Sequence, residues 1–423
     1  MVAGLGLLLL ACTTPGGDTA GPGRPSSDGM AAHRAPDIQR LPEHFITPPH
    51  MAGRAPVRIA LLLPLSAEQK NVRDTADAML NAAQLALFEF HNPDLMLIPK
   101  DTGGRPEGAA LAAEEAMREG AVLILGPLFA ASVTAVDPIA RAAQVPVIAF
   151  SSDAGVANNN VFLLSFLPDQ DVERIVDFAV LQNIMIFAGL IPEGDYGRRV
   201  HEAYLQALHR RNAQLFGIET YPPVAEAMFE PARRLALYDD RQYALQLEGD
   251  DGPERSRPDE LPDVPYQAVL LPDGGTQLKS VAPLLPYFDV DPRKVRFLGT
   301  GLWDDPSLGR EPSLVGGWFA APAPEAHDAF AARFQKNFGR VPTRIASLAY
   351  DGVALAAILA QQSGAGGISA AGLTQEDGFA GVDGIFRFLP DGRNERGLAV
   401  MEMRPSGPKV IDPAPVSFAP RTF

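Results

Sequence analysis

The 423-residue sequence is 46% apolar and 21% charged, a globular composition long enough for two packed domains. Its formal net charge of −15 excludes a protein that grips a phosphate backbone, because such a protein needs a basic face. Its single cysteine, Cys12, excludes an internal disulfide.

Residues 5–11, Leu-Gly-Leu-Leu-Leu-Leu-Ala, are far too short an apolar run to span a bilayer, which takes about 20 residues. The run suits the core of a signal peptide over 1–11. Leu9-Leu10-Ala11-Cys12 resembles the bacterial lipobox. That resemblance implies cleavage before Cys12 and its acylation, and several acyl chains hold a membrane where one is marginal. Thr13 stands where an inner-membrane retention signal carries Asp, so the resemblance implies an outer-membrane anchor facing the periplasm. Met1 to Gly6 contain no Lys or Arg, a departure from the positive start of such signals that leaves open whether Met1 is the true start. Residues 12–55 are rich in Gly, Pro, Ser, Thr and Ala without apolar periodicity, the composition of a flexible tether. Its r.m.s. reach is roughly 35–40 Å.

The pattern changes at Val57. Val57 to Leu63 is a near-continuous apolar run stopped by Pro64, as expected of a parallel strand buried on both faces. Ala76, Met79, Leu80, Ala83, Leu87 and Phe90 then recur at helical spacing. Strands are expected at 95–98, 121–126, 146–150 and 161–165, and helices at 107–119 and 130–143. A second series follows: helix 169–182, strand 184–188, helix 196–211, strand 214–219, strand 266–271, helix 276–288 and strand 295–299. Strict alternation of this kind forces right-handed crossovers and parallel sheets. Two series predict an α/β fold of two doubly wound lobes, with a ligand site at the strand carboxyl ends in the cleft between them.

Ile59 to Ser66, Asp101-Thr102-Gly103-Gly104, Gly126-Pro127-Leu128, Val145 to Ala149, Asp195-Tyr196-Gly197 and Ala349-Tyr350-Asp351 occur in that order. This set resembles the type I periplasmic-binding family, the branch of the leucine/isoleucine/valine binders. The resemblance implies three crossings between lobes, with lobe one at 57–166 and 322–378 and lobe two at 167–321 and 379–415. Gly299 to Pro306, Gly316 to Pro322 and Gly381 to Phe388, with the lipobox and tether, resemble a subset of lipoproteins that activate penicillin-binding proteins. That resemblance implies a peptidoglycan synthase as partner and no chemistry of the protein's own. No counterpart of the helical N-terminal domain that some of these activators carry is expected between the lipobox and Val57, a departure that leaves the mode of activation open. The alternative implication is a solute-binding component of an ABC transporter, with a permease as partner and an amino-acid-like ligand.

For a ligand, the candidate residues are Ser66 after the first strand, Ser132 at the start of a helix, and Ser151, Ser152 and Asp153 after the fourth strand. The first turn of a helix favours an anion, and Ser132 either adds a hydroxyl there or caps its helix. From the second lobe come Tyr196, a ring with a polar tip, and Trp303 and Asp304, where a carboxylate holds an ammonium or caps a turn. Residues 223–265 exceed what the plain binders need. Arg233, Arg234 and Arg241 on a charged helical face are either solvated or a partner surface. No metal or cofactor motif is found: no His-x-x-x-His pair with suitable acids, no P-loop, no Gly-x-Gly-x-x-Gly, and no Gly-x-Ser-x-Gly elbow. With Cys12 taken by the anchor, no catalytic residue is assigned.

Overall fold

The computed structural model describes residues 56–90, 94–248 and 261–418. The expected signal peptide, Cys12, the whole of the tether and most of the polar stretch before Asp263 lie outside the described residues.

The first lobe starts with β1 (Val57–Leu63), α1 (Lys70–Phe90), β2 (Leu95–Asp101), α2 (Pro106–Arg118) and β3 (Leu123–Leu125). It continues with α3 (Ala130–Ala142), β4 (Val147–Ala149) and β5 (Val161–Leu163). The five strands form one parallel sheet in the order β2-β1-β3-β4-β5. β1 sits between β2 and β3 and is apolar on both faces for a reason. Ile59, Leu61 and Leu63 pack on one side with α1, whereas Ala60 and Leu62 pack on the other with α2 and α3.

The second lobe contains α4 (Pro168–Leu181), β6 (Ile186–Pro192), α5 (Asp195–Arg210), β7 (Gln214–Tyr221), α6 (Phe229–Leu235) and α7 (Tyr238–Glu248). Then come β8 (Ala268–Leu270), α8 (Gly275–Val281), α9 (Leu284–Tyr287), β9 (Arg296–Gly299) and β10 (Trp318–Ala321). Gly197, in the first turn of α5, is fixed by a close approach: a Cβ there would lie 1.6 Å from the Pro192 carbonyl oxygen. Two expectations divide. The helix expected over 276–288 is two short helices, since Pro283 lacks the N–H that a continuous helix needs. The apolar face over 229–247 likewise splits into α6 and α7 at Leu237, whose φ is +50°.

The chain returns to the first lobe with α10 (Pro324–Phe338) and α11 (Ala346–Ser363), whose Phe330, Phe334, Ala349 and Val353 join its core. β11 (Phe379–Gly381), β12 (Gly384–Phe388) and β13 (Asn394–Arg396) make a small antiparallel sheet. β14 (Ala399–Arg404) and β15 (Gly407–Asp412) complete the second sheet, in the order β15-β14-β10-β9-β8-β6-β7. Two corrections follow. The second sheet is not wholly parallel, since β14 and β15 run antiparallel. Residues 379–396 do not belong to the second lobe, because Val382, Phe386 and Phe388 are buried in the first lobe's core. The lobes thus exchange chain at Phe166, just after β10, and at Gly397. Among the described residues no helix is long and apolar enough to cross a membrane.

Candidate functional site in the cleft

The carboxyl ends of the parallel strands in the two sheets supply the cleft loops. On the first lobe, the loop after β1 is tied to the loop after β2. The Ser66 and Gly103 backbone N–H groups donate to Asp101 Oδ1 at 3.1 and 2.9 Å. Burial pushes the Asp101 carboxyl up, but these hydrogen bonds outweigh it and hold the group below the usual carboxylate range. Ser66 itself is exposed, whereas Ser132 is buried in the first turn of α3. Ser132 does not cap that helix, because Phe129 occupies the cap position.

After β4, the Ser151 hydroxyl accepts from the Asp153 N–H at 3.1 Å, and Asp153 Oδ1 accepts from Gly155 N–H at 3.0 Å. The same loop is gripped from the other lobe. Arg199 of α5 donates through Nη1 to the Ser152 carbonyl at 2.8 Å and lies 3.4 Å from Asp153 Oδ1. Ser152 and Asp153 therefore meet the second lobe directly. Asn158 is a turn residue as expected, its side-chain oxygen accepting from the N–H groups of Asn160 and Val161.

On the second lobe, Tyr196 Oη and Thr300 Oγ1 are 2.9 Å apart. The Tyr221 hydroxyl, at the end of β7, donates to Asp273 Oδ2 at 2.8 Å. Burial raises the pKa of both tyrosines, so both hydroxyls remain neutral. Asp171 of α4 accepts from the Gly301 N–H at 2.9 Å, and burial pushes its carboxyl up to about 7. Thr300, Tyr221, Asp273 and Arg199 were missed from sequence. The strand-end rule that selected Tyr196 would also have pointed to Asp273, three residues beyond β8.

Three assignments are corrected. Trp303 is not a ligand residue: it is fully buried in the second lobe's core and donates from Nε1 to the Leu271 carbonyl at 3.0 Å. Asp304 turns toward the hinge, where its Oδ2 lies 3.7 Å from Arg344 Nη2. Burial raises the Asp304 carboxyl, against the pull of Arg344 and His327. Arg241 is not a surface residue; its guanidinium is buried among backbone carbonyls. Arg233 is half-buried and Arg234 exposed, and both are paired within the lobe, Arg233 with Asp239 at 2.6 Å and Arg234 with Glu219 at 2.6 Å. Among the described residues no three His, Cys, Asp or Glu side chains gather to hold a metal ion.

Two α/β lobes joined by three crossings, with polar loops facing across strand ends, define a bilobal binding protein. The chain belongs to the periplasmic binding protein family, whose model matches residues 56–408, and its fold is the type I form. Solved structures agree on the fold. A protein assigned to branched-chain amino acid ABC transport from Rhodospirillum rubrum aligns over 84% of this chain and 100% of its own, with a TM-score of 0.68 and 17% identity. An ABC transporter substrate-binding protein from Sphaerobacter thermophilus covers 84% and 97%, with a TM-score of 0.64 and 18% identity. The substrate-binding protein LivJ of Streptococcus pneumoniae, solved with isoleucine, covers 85% and 100%, with a TM-score of 0.55 and 17% identity. Among curated proteins, the uncharacterized protein RP748 of Rickettsia prowazekii (strain Madrid E) is 21% identical over 191 residues, 44% of this chain and 49% of that protein. The match thus spans about half the length of that relative.

Proposed function

We propose that this protein is a lipid-anchored, periplasm-facing regulator of a penicillin-binding protein in peptidoglycan synthesis, using the binding-protein fold as a scaffold without catalysis. The observation that supports this reading is the pairing inside the cleft. Arg199 crosses to Ser152 and Asp153, Tyr196 is bound to Thr300, and Tyr221 to Asp273. Cleft groups already satisfied by one another make little demand for a solute, because a ligand must replace those bonds before it gains any. The partner surface then lies on the exterior, with Arg233 and Arg234 on α6 as candidates.

A second reading is a solute-binding component of an ABC transporter for branched-chain or related amino acids. Asp273 and Tyr196 opposite the serine loops favour it, with a carboxylate for an ammonium and N–H groups for a carboxylate. The two are separated by one pair of measurements on the purified protein. The first is stimulation and capture of a bifunctional peptidoglycan synthase; the second is calorimetric titration with leucine, isoleucine and valine. Synthase stimulation that is lost in an Arg233→Glu/Arg234→Glu protein supports the regulator. Micromolar binding of an aliphatic amino acid with no synthase effect supports the transporter.

The closed cleft carries its own prediction. Arg199→Ala removes the charged hydrogen bond to the Ser152 carbonyl, an interaction of about 1.5–3 kcal/mol. The open form should gain at least tenfold over the closed one. Small-angle scattering should register a larger radius of gyration at unchanged helix content.

A further inference from the structure

The hinge holds a concentration of buried charge that neither reading of the cleft uses. The Phe166 ring, at the first crossing, lies between two guanidinium groups, with Arg344 Cζ 5.6 Å and Arg396 Cζ 4.9 Å from its centroid. Arg396 of β13 donates from Nε to the Ser165 carbonyl at 3.1 Å, while its Nη1 and Nη2 are buried with no hydrogen-bond partner. Four aspartates face these two arginines. Asp383, in the β11–β12 turn, lies 3.0 Å from Arg344 and 3.4 Å from His327 of α10, and accepts from the Ser347 hydroxyl at 2.5 Å. Asp351 of α11 accepts from the Val382 N–H at 2.8 Å and leaves Oδ2 buried without a partner. Asp171 and Asp304 come from the other lobe, Asp171 facing Arg396 and Asp304 facing Arg344. Asp169 of α4 and Asp328 of α10 add negative charge beside Asp171 and Asp304.

With every group ionised, four carboxylates would confront two guanidinium groups at a junction where Asp351, Asp383 and Arg396 are buried and Asp171, Asp304 and Arg344 are partly exposed. Such a site relieves the excess by holding protons. Asp383 stays ionised, since His327, Arg344, Arg396 and Ser347 outweigh its burial. The excess therefore falls on the other three. We infer that the hinge is a proton-linked latch: parting the lobes completes the hydration of the partly exposed Asp171 and Asp304 and releases protons, so acidity favours the closed form.

The sign follows from where each carboxyl titrates. In the closed form Asp171 titrates at about 7, and Asp304 is also raised. Hydration on opening returns both toward the ordinary value near 4. Their contribution to closure is full below that ordinary value and is lost as pH rises through about 7. The inference stands apart from the identity of any ligand or partner, because it concerns opening alone.

The test is the interlobe distance between spin labels at Glu114→Cys on α2 and Gln206→Cys on α5, both exposed positions, in the full chain carrying Cys12→Ser. The opening constant should rise toward pH 7, by up to about tenfold per pH unit for each of the two groups that titrates there, and level off above it. Asp171→Asn, isosteric and uncharged, should flatten that rise. Asp304→Asn makes the same comparison if the first variant does not fold. A distance distribution unchanged from pH 5 to 8 would overturn the inference, as would a folded Asp171→Asn protein with the wild-type slope.

Discussion

Trp303→Ala is expected to destabilise the protein by about 3–5 kcal/mol, the range for truncating a fully buried large aromatic. The ring is 0% exposed and lies against Phe319 at 6.2 Å between centroids. Two glycines make room for it. A Cβ on Gly299 would fall 2.3 Å from the ring, and one on Gly317 would fall 2.6 Å from it. Loss of the indole also removes one of two donors to the Leu271 carbonyl, Nε1 at 3.0 Å, and leaves the Asp273 N–H at 3.0 Å. Urea unfolding should show a lower midpoint with little change in slope. The fraction that remains folded should keep wild-type affinity for any amino acid or synthase partner. A stable Trp303→Ala protein that had lost ligand binding would return the residue to the cleft. Gly299→Ala tests the same packing from the other side, because the added methyl meets a rigid ring rather than a flexible chain end.

Trp303 also illustrates how far sequence could carry the site. The rule that ligands sit beyond strand carboxyl ends directs attention to the stretch after β9. It cannot say which way a side chain points. Here a short 3₁₀ turn over Gly301–Trp303 folds the ring back beneath β9, while Thr300 and Asp304 on either side keep polar contacts. The same limit separated Tyr196 from Arg199. Both lie on α5 three residues apart, on neighbouring faces of one helix. Only the second lobe's placement against the Ser152 loop makes Arg199 a bridge.

The strand–helix order was legible because each buried strand of a parallel sheet is a short apolar run and each covering helix has one apolar face. Val57–Leu63 and the burial of Ala76, Met79 and Ala83 on α1 follow from those two patterns. The end of the chain was less legible. β11 to β13 are three to five residues long, and their core residues Phe386 and Phe388 alternate with half-buried Ile385 and with Arg387, which is paired with Glu395. Nothing in so short a pattern says which lobe's core the phenylalanines enter. The hinge charges were invisible for another reason. Asp171, Arg344, Asp351, Asp383 and Arg396 come from five separated segments, and only the three crossings bring them together.

Arg241→Ala is the second large effect, and it decides how the α6–α7 surface should be tested. Arg241 is 6% exposed. Its guanidinium donates to the carbonyls of Pro262 at 2.6 Å, Ala236 at 3.1 Å, Phe288 at 3.1 Å and Asp289 at 2.8 Å. It thereby joins the end of α6, the end of α9 and the chain entering β8. Burial lowers its pKa, with Asp289 and Tyr266 opposing, yet a guanidinium remains charged at any physiological pH. Removing it leaves buried acceptors without donors at about 1–3 kcal/mol each, so a total loss of about 3–5 kcal/mol is expected even with partial rehydration. Arg241→Lys should recover only part of that stability, since an ammonium cannot reach four carbonyls spread around a planar fork. Thermal unfolding of the two variants checks both statements. Arg233→Ala and Arg234→Ala break only exposed pairs and should leave the midpoint unmoved. A partner that dissociates from the Arg233/Arg234 variant, at wild-type stability, touches this helix. A partner lost only with Arg241→Ala reports that the helix pair has come loose.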